Sequence, residues 1–164
     1  MHHQALLSFS IAERRLALPL GAIRHIAPVP LLHRPVGAPD FVAGYFDFQG
    51  TPVAAIRLDR LLGLGNAQLG LYAPLLILAG DAPALALHVA RADGVVRAPA
   101  VQPIDEGATL NGCVAGRFSE RGETVYLLDA ARLLLAVERE KLAAHRVMLQ
   151  RRLEALDADA DDAA

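Results

Sequence analysis

A mainly β body followed by one long C-terminal helix is the fold class that the order of residues predicts, and three observations predict it. From Pro19 through residue 128 the apolar runs are cut every few residues by Gly, Pro, Asp or Asn, too often for helices and at the right length for strands. From Ala130 to Leu156 that punctuation stops: there is no Gly or Pro, and good helix formers dominate. The chain has 164 residues, 54% of them hydrophobic, enough to bury a core in one domain or in two small lobes sharing a boundary.

Leu6 to Ile11 and Arg15 to Leu20 flank the polar connection Ala12-Glu13-Arg14 and read as a hairpin. Ile23 to Ala27 is a third strand, ended by Pro28 and Pro30. His33-Arg34-Pro35 and Pro39 then belong to a surface loop, because proline cannot serve a sheet ladder. Gly44 to Gln49 and Thr51 to Arg57 surround Gly50 as a second hairpin. Leu58 to Leu64 is at most a turn or two of helix, stopped by Gly63 and Gly65. Residues 65 to 72 form a linker, and a second lobe is expected to start near residue 70. It would hold Tyr72 to Leu78, Ala84 to Val89, Gly94 to Val101, Gly112 to Phe118 and Thr124 to Leu128, separated by Gly80-Asp81, Arg91 to Asp93, a Pro/Asp/Gly stretch and Glu120 to Gly122.

Asp129 stands where an N-cap carboxylate satisfies the first free amides of the final helix. Leu135, Leu142, Leu149 and Leu156 recur every seven residues. The positions three before them are Arg132, Arg139, Arg146 and Leu153, so this is half a coiled-coil seam. Packing along the chain's own body is the plainer reading of that helix and a partner helix the sharper one. Residues 157 to 164, small and acidic, read as a solvated, disordered tail.

Charge and composition narrow the function. Sixteen basic and eighteen acidic residues give a formal charge of -2, no field for nucleic acid. The mean hydropathy is positive at +0.32, yet the apolar stretches around residues 71 to 79 and 82 to 89 are too short to cross a bilayer. No export signal opens the chain, and the single Cys113 cannot form an internal disulfide, which fits a cytoplasmic protein. The six histidines have no metal-ligand spacing, and no nucleophile, acid/base pair or phosphate loop can be assembled. Neither a cofactor nor catalysis is expected, and Cys113 reads as a core filler.

Residues 6 to 135 resemble the CheW-like domain, the adaptor fold of bacterial chemosensory systems. The resemblance rests on blocks that are specific by their common order: Phe9 to Leu20 as first hairpin, Ile23-Arg24-His25-Ile26 as third strand, and Pro39-Asp40-Phe41-Val42-Ala43-Gly44-Tyr45-Phe46-Asp47-Phe48-Gln49-Gly50 against the family's P-x-[FY]-[IV]-x-G-[VI]-x-N-L-R-G. Leu58 to Leu64, Gly112 and Leu127 to Leu134 complete it. Three polar family marks are replaced: an arginine by Gln49, and two aspartates by Arg57 and Ala90. Gln49 cannot make the charge-assisted bidentate contacts of an arginine.

The resemblance implies two intertwined five-stranded SH3-like β-barrels with an apolar groove between them. It implies a non-catalytic adaptor that couples methyl-accepting chemoreceptors to a CheA-type histidine kinase. One lobe would dock on the kinase's regulatory domain and the groove on the receptor's cytoplasmic tip, at membrane-associated receptor arrays. Ile23, His25, Ile26, Gly44 and Gln49 match the partner-facing positions. The alternatives are an oligomerisation or partner-recruiting module acting through the helix extension of residues 136 to 156, and a docking competitor that lowers kinase activity.

Overall fold

In a computed structural model, residues 4–80, 84–97, 99–104 and 109–162 are described. Asp81, residues 105 to 108 of the Pro/Asp/Gly stretch, and residues 163 and 164 of the expected tail lie outside them. The strands are β1 (Ala5–Ile11), β2 (Arg14–Pro19), β3 (Ile23–Ala27), β4 (Val42–Phe48), β5 (Thr51–Arg57), β6 (Leu75–Leu78), β7 (Ala84–His88), β8 (Arg91–Arg97), β9 (Gln102–Pro103), β10 (Val114–Glu120) and β11 (Glu123–Leu128). One helical turn, α1 (Leu58–Leu61), follows β5, and α2 (Ala130–Asp162) closes the chain.

The strands form two sheets, one of six in the order β8-β1-β2-β11-β10-β9 and one of five in the order β3-β6-β7-β5-β4. A lobe boundary near residue 70 does not divide them. β6 and β7 complete the sheet begun by β3, β4 and β5, while β8 to β11 return to the sheet of β1 and β2. The joins are parallel, β7 beside β5 and β11 beside β2. Partner choice of this kind is set by long-range burial, for which a linear string of residues carries no local signal.

Local chemistry accounts for the hairpins. Ala12-Glu13, Gln49-Gly50 and Arg121-Gly122 each have two successive residues at positive φ. That is the two-residue turn whose twist matches its flanking strands. The first turn is therefore shorter than expected, with Ile11 paired to Arg14, and two non-glycine residues hold its left-handed conformation. Arg91 to Asp93, read as a break, lie inside β8. The pairing of β1 with β8 shifts opposite Asp93, whose carboxylate accepts from Ser10 and, at 2.6 Å, from Arg91 Nε.

Alternation along the strands packs Phe9, Ile11, Leu16 and Leu18 of one sheet and Ile56, Leu76, Leu85 and Leu87 of the other into one shared core. Cys113 is buried in it, and burial pushes its thiol up to about 11. The first turn of α2 is capped by Asp129, whose Oδ1 accepts from the amides of Ala131 (2.9 Å) and Arg132 (3.2 Å). Leu133, Ala136 and Val137 seat the helix on the core. It then runs past the 28–40 loop, where a Cβ on Gly37 would stand 3.1 Å from Met148 Cε. The helix continues through residues 157 to 162, expected as a disordered tail, because alternate alanines favour helix and no Gly or Pro stops it.

One polar group sits inside this apolar junction. Asp59 is fully buried and accepts from Arg57 Nε at 3.0 Å, Arg57 Nη2 at 2.6 Å and the Ala67 amide at 2.7 Å. Burial alone would raise its carboxyl, but the hydrogen bonds and charge of Arg57 outweigh it and hold the group below its ordinary value. His88, paired in register with Arg57, has an Nε2 atom with no hydrogen-bond partner. Burial first, and then the Arg57 cation, lower its basicity.

Replacing one member of a buried ion pair strands the other. Arg57→Met should therefore lower unfolding free energy by about 3–5 kcal/mol in urea titration, and much of that loss should return in Arg57→Met/Asp59→Leu. His88 is harder to protonate when folded, so the unfolded chain takes up more protons just below pH 6.5. Stability should be complete above that value and fall as the pH drops through it. Urea midpoints between about pH 7.5 and 5.5 should decline in the parent and decline less in His88→Leu.

Candidate docking surface

The five-stranded sheet has β3 and β4 as its edges, and side chains bring the edges together. Its pairing with β6 shifts between Ile23 and His25, so alternation lapses and Arg24, His25 and Ile26 all face solvent in succession. The His25 ring lies 5.7 Å from that of Phe48, and the Arg24 guanidinium stands 5.5 Å from the Phe48 centroid. Arg24 Nη2 also donates to Gln49 Oε1 at 3.4 Å. Gln49 is exposed at the left-handed first position of the β4–β5 turn, and the amide of Gly50 donates to Asp47 Oδ1 at 2.8 Å, which stiffens that turn.

Of the five residues expected to face a partner, His25, Ile26 and Gln49 are exposed; His25 adjoins Phe48, Gln49 adjoins Arg24, and Ile26 follows on the same strand. Ile23 is half-buried and packs on the shared core. Gly44 is buried. A Cβ there would meet Leu32 Cβ at 2.8 Å and His33 O at 3.1 Å, so the glycine lets the loop cross β4 closely. His33, placed in that loop by its prolines, pairs with Tyr45 through two backbone bonds of 2.9 and 2.7 Å. The loop thereby covers the outer edge of β4.

Arg24 and Phe48 escaped the sequence reading. Strict alternation assigns one face to Ile23 and His25 and the other to Arg24 and Ile26, and the register shift that exposes three successive residues leaves no mark in composition. Beside the turn, His33, Tyr45, Phe46, Asp47, Gly50 and Pro52 line an open, mainly apolar recess of about 410 Å³. On the six-stranded sheet a wider recess of about 600 Å³ is polar, and its central Arg15 pairs with Glu120 at 2.8 Å, Glu123 at 3.5 Å and Asp93 at 3.8 Å.

The patch is suited to docking: it has an aromatic ring and a cation held in place by neighbours, with an exposed isoleucine on the same strand. Among the described residues no group of three or more His, Cys, Asp or Glu side chains is arranged to hold a metal ion. No helix among them is long and apolar enough to cross a membrane.

Gly44→Ala should cost about 2 kcal/mol, since the added methyl must displace Leu32 and the loop backbone. A lower urea midpoint at unchanged m-value would register it.

Three comparisons bear on identity. The sequence profile of the CheW-like domain matches residues 5–138. The scaffolding protein TtCheW from Thermoanaerobacter tengcongensis superposes with a TM-score of 0.73 at 16% identity, over 80% of this chain and 92% of that one. No curated protein matches the sequence. With its two interleaved sheets, its closing helix and a profile match over most of its length, the chain belongs to the CheW-like domain family, the scaffold family of chemotaxis signal transduction.

Proposed function

We propose that this chain is a non-catalytic adaptor coupling methyl-accepting chemoreceptors to a CheA-type histidine kinase in the cytoplasm. The observation that carries the reading is the patch of Arg24, His25, Ile26, Phe48 and Gln49, an exposed apolar and cationic surface on a chain of this family. The sheets are read as two intertwined SH3-like barrels. Side-chain contact between the β3 and β4 edges supports closure of the five-stranded one. His25, Ile26 and Gln49 face the kinase's regulatory domain or the receptor's cytoplasmic tip. Ile23 and Gly44 position them, from beneath β3 and beneath the 28–40 loop. Arg24 supplies a cation at the place where Gln49 has none. A chain that docks in this way without coupling would lower kinase activity, and the same surface serves that competitor.

The leucines at 135, 142, 149 and 156 are exposed, which favours a second reading, in which α2 joins chains or recruits a partner.

Binding of the full chain to the purified regulatory domain of the cognate kinase and to a receptor cytoplasmic fragment tests the first reading. At least one should bind, and Ile26→Glu or Arg24→Glu should weaken it by about tenfold or more while thermal unfolding stays unchanged. Kinase autophosphorylation in receptor-containing membranes should rise with an adaptor and fall with a competitor. Absence of binding to both fragments would overturn the reading.

A further inference from the structure

Residues 133, 136 and 137 of α2 enter the core, and 141, 144 and 148 continue the same face against the body. From 149 to 160 every residue is exposed, so the helix leaves the body and is surrounded by solvent. The exposed leucines from Leu142 onward do not scatter. Leu142, Leu149, Leu153 and Leu156 fall at spacings of seven, four and three, one stripe along one side, and are 58%, 44%, 62% and 64% exposed.

Charge divides the same helix by length. Residues 132 to 152 carry six Arg and Lys side chains against Glu138 and Glu140. Residues 153 to 162 carry Glu154, Asp157, Asp159, Asp161 and Asp162 with no cation. Carboxylates in the last turn oppose the helix macrodipole, and a projecting helical segment of this length is marginal in water without packing. Something must cover the stripe and bring positive charge to its acidic end. The basic half of a second copy of α2 does both, and only if it runs the other way. A parallel pair would place acid against acid and the two bodies side by side; an antiparallel pair centred near Leu149 sets Leu142 against Leu156, places Arg139 and Lys141 beside Asp159 and Asp157, and keeps the bodies at opposite ends.

We infer that two copies of this chain pair antiparallel through the exposed leucine stripe of α2, with the basic segment of each helix lying along the acidic segment of the other. The inference rests on the second reading above, that α2 joins chains, and adds the partner and the polarity.

Sedimentation velocity on the full chain over about 1–100 μM, where a small helical interface dissociates, measures the association. A concentration-dependent dimer is expected, weakened about 100-fold or more by Leu149→Glu, which sits at the two-fold, and weakened by raised salt. Circular dichroism confirms that the variant stays folded. Polarity is read by thiol cross-linking of Leu142→Cys and Leu156→Cys chains, the native Cys113 being buried. In an antiparallel pair, like positions lie about 21 Å apart along the axis, so a short cross-linker should join the two variants only when they are mixed. Cross-linking of each variant with itself would mean a parallel pair and would overturn the antiparallel inference while leaving self-association standing. A dimer indifferent to Leu149→Glu would place the contact elsewhere and overturn it as well. A monomer throughout the range would overturn the inference and the chain-joining form of the second reading together, leaving only recruitment of a different partner by α2.

Discussion

The ion pair of Arg57 and Asp59 organises the junction on which the other elements depend. A carboxylate with no solvent exposure is tolerable only with its lone pairs occupied, and three donors occupy them. Arg57 makes further bonds of its own. The Arg57 amide bonds to Phe41 O at 2.7 Å and sets the entry to β4, while its Nη2 also reaches Ala67 O at 2.8 Å, so the segment after α1 is drawn back against the end of β5. From α1 the connection passes outward: Asn111 Nδ2 donates to Leu61 O at 3.0 Å, and Arg139 of α2 donates to Asn111 O at 3.4 Å. A buried ion pair is weak evidence for stability in itself. Its value here is positional, since it ties the end of β5, the turn of α1, the entry to β4 and the segment at Ala67 together at one point.

This junction also gives a physical account of one departure from the family pattern. Arg57 stands where the resemblance expects an aspartate, and the opposite charge two residues on, at Asp59, restores the balance inside the protein. Gln49 follows similar logic at the surface. The guanidinium absent from the turn reappears on the neighbouring strand as Arg24, held by Phe48 and by Gln49 itself. For Ala90, the amide donates to Ser10 O at 2.9 Å, and the hydroxyl of that same Ser10 donates to the carboxylate of Asp93.

Much of the secondary structure was legible because period-two burial and turn chemistry are local. β2, β3, β5 and α1 follow directly from proline, glycine and alternating apolar positions. What stayed hidden was relational. Nothing in residues 84 to 88 says that β7 lies parallel to β5 rather than joining the strands after it. Nothing around Ile23 announces the register shift that brings Arg24 beside Phe48. His25, Ile26 and Gln49 were recognisable as surface residues through the family pattern, while Gly44 shared that pattern for a different reason, the close crossing of a loop. The acidic residues after Leu156 misled because composition weighs their charge and not the helix already running into them.

The interleaving of the sheets has a consequence for the nascent chain. The five-stranded sheet draws only on residues 23 to 88, nested inside a six-stranded sheet whose members come from both sides of it. Emerging from the ribosome, β1 and β2 form a hairpin that must wait, one apolar face uncovered, until Glu123–Leu128 arrives to lie beside β2. The inner sheet can finish first and offer its core face as a template, and the outer sheet then closes around it from two distant ends. Such sequence-distant closure is the slow kind. The order of synthesis therefore makes the opening hairpin the segment longest dependent on chaperone cover.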